Sequence, residues 1–167
     1  SDSVYVGGMD AVDLSDAPPT LGSQFTLEVR FYYDDGGYGS GQLLGSESFR
    51  APSIGFLNHG KEIRYGFGTD GAVKYPGRAT NLNIQKAWHH VATTFDGTNY
   101  KLFLDGVEID NSTAFQGLTP PESEPVRIIG NKPWVGKIDE VRMWSVARTQ
   151  DRSEERRVGK ECRSRWS

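Results

Sequence analysis

The residues of this chain whose types and spacing could do chemistry lie in four places. Glu108 and Asp110 stand two apart, the spacing that turns two side chains to one face of a strand, and a pair of carboxyl groups is what retaining hydrolysis of a glycosidic bond requires. His89 and His90 are adjacent, so on a strand they point to opposite faces and cannot hold one metal ion together without a third partner. One is expected packed or hydrogen-bonded in the core and the other exposed, while His59, beside Gly60, is expected to face solvent from a turn. Acidic residues in separated segments, Asp10, Asp139 and the pair Asp34-Asp35, carry the hard oxygens that calcium prefers. Aromatic residues in turn-rich segments could offer a flat apolar face to a sugar ring, with polar neighbours taking its hydroxyls. These are Tyr38 within Asp34 to Gly41, Tyr75 before Pro76-Gly77, and Trp134 after Lys132-Pro133; the competing expectation is plain loop packing over a sheet edge. Trp88 and Trp144 lie in strand-like runs and are expected in the core.

Short strands must position these residues. From Phe25 to Tyr32 apolar and polar residues alternate, which places Phe25, Leu27, Val29 and Phe31 on one half-buried face. Gly41 to Gly45, Ser53 to Asn58 and Glu62 to Gly68 are further β-prone runs, and Thr69-Asp70-Gly71 turns into Ala72 to Tyr75. Trp88 to Phe95 and Tyr100 to Leu104 form a hairpin across Asp96 to Asn99, and Asp105-Gly106 turns into Val107 to Ile109. The prolines at 120, 121 and 125 make Phe115 to Pro125 a loop, after which Val126 to Gly130 and Lys137 to Trp144 resume strand character. About a dozen short strands without a long helix predict an all-β fold, a two-sheet antiparallel β-sandwich of jelly-roll type.

The 167 residues, 36% hydrophobic with 20 glycines and 8 prolines, suit one such domain with one core. No apolar run is long enough to span a membrane as a helix, and Ser1 opens without a secretion signal, so the natural N-terminus is expected upstream. Residues 152–167 break the pattern: RSEERRVGKECRSRWS has no apolar period and reads like a sequencing adapter translated in frame. The domain is therefore assigned to residues 1–151 and the tail 152–167 is expected to be non-native and disordered, with the natural C-terminal edge of the domain truncated. Setting aside the tail's six basic and three acidic residues leaves 13 basic against 19 acidic, a formal −6 in place of −3 for the whole chain. That balance, without a basic stripe, argues against nucleic acid as a partner. Cys162, the single cysteine, lies in the tail, so the domain has no disulfide, cysteine metal cage or cysteine nucleophile.

Two segments resemble the LamG-like jellyroll domains of the concanavalin A-like lectin/glucanase superfamily, the laminin G and pentraxin group. Trp88-His89-His90-Val91-Ala92, then Phe95-Asp96-Gly97 and Leu102-Phe103-Leu104-Asp105-Gly106, is similar to their central hairpins. Gly136-Lys137-Ile138-Asp139-Glu140-Val141-Arg142-Met143-Trp144, followed by Ala147-Arg148, is similar to their closing strand. Val6 to Leu14 resembles their opening strand and Phe25 to Phe31 the next, so the resemblance runs from Val4 to about Gln150.

The resemblance implies a concanavalin A-like sandwich used as an accessory module of larger extracellular proteins. It also implies that Asp139 of the closing strand meets the first strand near Gly8 and Asp10, either to hold calcium or to pin the terminal strands through backbone N–H groups. Pentraxins hold paired calcium ions with an acidic loop before their last strand, whereas Gly130 to Val135 contains no acid. Laminarinase-type relatives use E-x-D-x-x-E, and here Thr113 takes the last position, so the acid that hydrolysis needs is missing. The expected function is non-catalytic binding of glycans outside the cell. The alternatives are adhesion to cell-surface or extracellular proteins and, as a third reading, a remnant or accessory of a glycoside hydrolase.

Overall fold

The computed structural model describes residues 4–6, 11–13, 21–34, 39–46, 48–69, 72, 76–122, 126–129, 134–149 and 163–164. These form two antiparallel sheets, with no helix among the described residues. At the centre of the larger sheet is β3 (Phe25–Tyr33), the strand with the clearest alternation in the sequence. Phe25, Leu27, Val29, Phe31 and Tyr33 are fully buried on its inner face. On one side it pairs with β8 (Trp88–Phe95), followed by β9 (Tyr100–Leu104) and β10 (Val107–Ser112). On the other it pairs with β12 (Gly136–Trp144), which also carries β1 (Val4–Val6) and the two-residue β13 (Arg163–Ser164).

The second sheet has the order β2 (Ala11–Asp13), β11 (Arg127–Ile129), β4 (Gly41–Gly45), β5 (Ser53–Leu57), β6 (Glu62–Gly66) and β7 (Gly77–Ala79). Its inward residues, among them Leu44, Ile54, Phe56, Ile63 and Tyr65, meet the inner face of the larger sheet in one core. Phe25, Phe67, Phe95, Tyr100 and Phe115 fill one end of that core with rings 4.3–6.2 Å apart at edge or tilted angles, the arrangement that ring quadrupoles favour. Each such ring contributes roughly 1.5–3 kcal/mol by leaving water.

The expected sandwich is therefore present, with its opening strand divided. The segment Val6 to Leu14, expected as one opening strand, is divided: β1 pairs with the larger sheet and β2 with the smaller, so the chain crosses between them. Of the expected strand Ala72 to Tyr75, Ala72 bridges Thr69 and residues 73–75 lie outside the described residues. Within the tail, Arg163–Ser164 lies beside Val141–Arg142 as β13.

Candidate functional site

Strand register decides which side chains share the outer face of the larger sheet. Lys137, Tyr32 and Trp88 are successive cross-strand partners on β12, β3 and β8. The next row in the same direction is Asp139, Arg30 and His90. A third row brings Arg142, Glu28, Ala92 and Phe103 together, and a fourth Trp144, Thr26, Thr94 and Lys101. Rows on one face are two residues, about 7 Å, apart.

The lower two rows are closed. Glu28, Arg142, Trp144, Thr26 and Thr94 are buried, and the chain after β12 folds across them: Thr26 Oγ1 donates to the Val146 carbonyl at 2.8 Å and accepts from the Arg148 N–H at 2.9 Å. The Arg148 guanidinium covers the Trp144 ring at 3.9 Å. Glu28, a fully buried carboxylate, accepts a 2.6 Å hydrogen bond from the Trp144 indole. His90 Nε2 stands 3.2 Å from its other oxygen, an ion-pair distance without hydrogen-bond alignment. A buried charge needs such partners, and here they tie β3, β8 and β12 together.

The upper two rows are open. Trp88 and Tyr32 meet edge to face at 5.9 Å, and both are half-buried. The Arg30 guanidinium lies 4.9 Å from the centre of the Trp88 ring, and the Lys137 ammonium 5.6 Å from that of Tyr32. Asp139, its side chain 9% exposed, is 4.0 Å from Arg30, too far for a hydrogen bond. His90 is 28% exposed at the rim of the same row. This is a shallow plate of two aromatic rings flanked by cations, an imidazole and a recessed carboxylate.

Trp134 requires a correction: it is fully buried, not an exposed loop plate. Its ring stacks on Tyr33 at 5.9 Å and 10°, meets Phe56 edge to face at 5.1 Å, and its Nε1–H donates to the Gln42 carbonyl at 3.1 Å. A large apolar ring next to the core gains more from burial than from solvent contact once its N–H has an acceptor. Trp88 departs in the opposite sense, standing on the outer face where a core position was expected. Tyr38, Tyr75, Gly8 and Asp10 lie outside the described residues. The register of β1 sets Val6 opposite Gly136, three residues before Asp139, and runs away from Asp139 as the chain proceeds. Among the described residues no three His, Cys, Asp or Glu side chains gather as a metal site.

The two histidines do point to opposite faces. His90 is on the outer face, whereas His89 packs beside Phe31 and its Nδ1 meets Asp105 Oδ2 at 2.6 Å. The carboxylates of Glu108 and Asp110 do not share a face, because β10 bulges between them. One inserted residue moves every later side chain to the other side of a strand. Glu108 therefore stays opposite Phe103 and near Lys101, while Asp110 turns inward and accepts hydrogen bonds from the Tyr65 hydroxyl at 2.8 Å and the Arg78 N–H at 3.1 Å. The spacing that suggested a carboxylate pair thus produces two unrelated ones.

A family model of laminin G type, described as the concanavalin A-like lectin/glucanases superfamily, matches residues 6–152. The chain belongs to this superfamily. No curated protein matches this concanavalin A-like chain in sequence. Among solved structures, a Bacteroides ovatus protein whose proposed role is carbohydrate binding superposes with a TM-score of 0.75 at 20% identity, covering 97% of this chain and 50% of that one. A sialidase CBM40 of Ruminococcus gnavus, bound to α2,3-sialyllactose, gives 0.66 at 18% identity, over 90% of this chain and 94% of that one. The heptameric SAP-like pentraxin of Limulus polyphemus gives 0.61 at 14% identity, over 89% and 77%. At these identities the likeness is one of fold. The concanavalin A-like domain spans about half the length of the Bacteroides protein.

Tyr32, Arg30, Trp88 and Lys137 were not found by sequence reasoning. Their signal lay in the polar half of the alternation: if the inner residues of the Phe25–Tyr33 run face the core, then Arg30 and Tyr32 must face out. That Trp88 and Lys137 join them depends on register, which sequence spacing alone does not supply.

Proposed function

We propose that this chain is a non-catalytic carbohydrate-binding module of an extracellular, multidomain protein, and that it binds its glycan on the open upper rows of the seven-stranded sheet. The observation that carries this reading is the Tyr32–Trp88 pair, two aromatic rings set edge to face on a rigid sheet. Beside them the row of Asp139, Arg30 and His90 supplies an acceptor and donors for hydroxyl groups. Aromatic surface with a few convergent polar groups is what sugar recognition needs. The carbohydrate-binding role proposed for the Bacteroides protein and the sialyllactose bound to the Ruminococcus CBM40 agree with it. The inward turn of Asp110, which accepts from the Tyr65 hydroxyl, and its separation from Glu108 support the reading without hydrolytic chemistry.

A glycan-array screen of the protein, run in calcium and again in chelator, tests this. Polysaccharide binding is expected, and Trp88→Ala should weaken it at least about tenfold while leaving the melting temperature within a few degrees. Tyr32→Ala serves as the second variant should Trp88→Ala unfold. Binding unchanged in both folded variants, or no hits from a folded sample, would overturn the reading; the latter would turn this face toward a protein partner. Loss of binding in chelator would give Asp139 the calcium role expected from the sequence, whereas indifference to chelator leaves it as the counter-charge of Arg30.

A further inference from the structure

The charge of the upper rows narrows the ligand. In the two rows of the aromatic pair the charged heads that reach solvent furthest are cationic, Arg30, 36% exposed, and Lys137, while one exposed acid, Asp34, follows just beyond the end of β3. The acids within these rows and in the row below are recessed, buried or paired. Asp139 is recessed, Glu28 is fully buried against Trp144, and Glu140 points to Arg142 at 3.5 Å. The Arg30 guanidinium is held by the Trp88 ring on one side and the Asp139 charge on the other, yet the described residues give it no hydrogen bond. An arginine already ordered by a ring, with its N–H fork unused, is prepared for bidentate contact with a planar carboxylate and loses little freedom when it makes one. Lys137, on the adjacent row across Tyr32, adds a second point charge on the other flank of the aromatic pair.

We propose that the sugar bound on this face carries a carboxylate, that of a uronic or sialic acid residue, taken by Arg30 and Lys137 while the sugar ring lies against Trp88 and Tyr32. This rests on the glycan-binding reading above. The formal charge, −3 for the chain and −6 without residues 152–167, opposes it only weakly, because charges more than about 8–10 Å away are screened at physiological salt and the two cations are at the site itself.

Binding is to be measured for polygalacturonate, alginate and hyaluronan, each beside its carboxyl-reduced counterpart, for 3′-sialyllactose beside lactose, and for dextran sulfate. The expected result is at least about a tenfold preference for the acid in the uronate or in the sialic pairs, which also tells the two sugar sources apart. Arg30→Gln and Lys137→Gln should each erase most of that preference, and the exposed position of Lys137 keeps the second variant folded. Equal affinity for acid and reduced forms would overturn the proposal while leaving glycan binding intact. A preference unchanged in both variants, or dextran sulfate binding as tightly as the best carboxylate, would overturn it too by moving recognition elsewhere or reducing it to general attraction. Absence of binding to every probe, neutral ones included, would end both readings.

Discussion

Two tryptophans sit in opposite environments in this fold: Trp134 is fully buried, whereas Trp88 is half-buried on the outer face of the larger sheet. Trp134 gives its N–H to the Gln42 carbonyl and both ring faces to protein, with Tyr33 stacked on it and Phe56 at its edge. Trp134→Ala should therefore cost roughly 3–5 kcal/mol, the range for deleting a large buried ring, and leave the Gln42 carbonyl without that donor. Chemical denaturation would read this as a lower midpoint with an unchanged slope, and a loss under about 1 kcal/mol would mean that the ring is not packed as described. Trp88, which meets Tyr32 edge to face and carries Arg30 over its ring, should tolerate the same change with little loss of stability. Sequence alone ranked them the other way round, because Trp134 follows a proline in a glycine-rich segment while Trp88 opens an apolar run. Burial of a ring depends on what lies across the sheet, and neither residue's neighbours in sequence report that.

Among the elements, the hairpin of β8 and β9 is the one whose turn chemistry is most explicit. Asp96 Oδ1 accepts from the Asn99 and Thr98 N–H groups at 2.7 and 2.8 Å, closing the loop with the side chain in place of a backbone carbonyl. These bonds, that of Asn99 foremost, hold the Asp96 carboxyl below its ordinary pKa. Asp96→Ala should lower stability by at most about 1 kcal/mol, because the turn is exposed and solvent screens the charge, and the parent should lose part of that increment as pH falls through the depressed pKa, since the unfolded chain takes up the proton first. A parent-minus-variant stability difference that stays flat down to pH 2 would exclude this role. The hairpin was legible, as were β3, β4 and most of β5, β6 and β12, because alternation and Asp-Gly or Gly-containing turns are local signals. The bulge in β10 was not, and it alone decides that Glu108 and Asp110 part company. The division of the opening segment into β1 and β2 escaped for the same reason, since six residues contribute to two sheets that only the finished topology defines.

For the molecule as a whole, the question is what holds one sheet to the other beyond apolar contact. Tyr65 of β6 reaches across the core to the larger sheet, where its hydroxyl donates to Asp110 at 2.8 Å and lies 3.4 Å from the Tyr100 carbonyl. Burial, and then the bond and the negative charge of Asp110, push the Tyr65 phenol far above its ordinary pKa near 10; burial does the same to Tyr100. Both therefore keep their protons in the folded protein well above pH 10. In the unfolded chain they ionise near pH 10, so above that value the unfolded state binds fewer protons and stability falls with rising pH. Each tyrosine adds about 1.4 kcal/mol per pH unit to that slope. The two phenols should therefore add no pH dependence from neutrality to about 10 and then destabilise the sandwich, with the tyrosinate absorbance that distinguishes the parent from Tyr65→Phe appearing together with the loss of β-sheet circular dichroism. Tyr65→Phe should halve the slope contributed by the pair and cost about 1–3 kcal/mol at neutral pH by leaving Asp110 without its donor. If the tyrosinate signal that Tyr65→Phe removes instead formed with the sheets intact, the Tyr65 phenol would be in contact with water and its bond to Asp110 would not join the sheets.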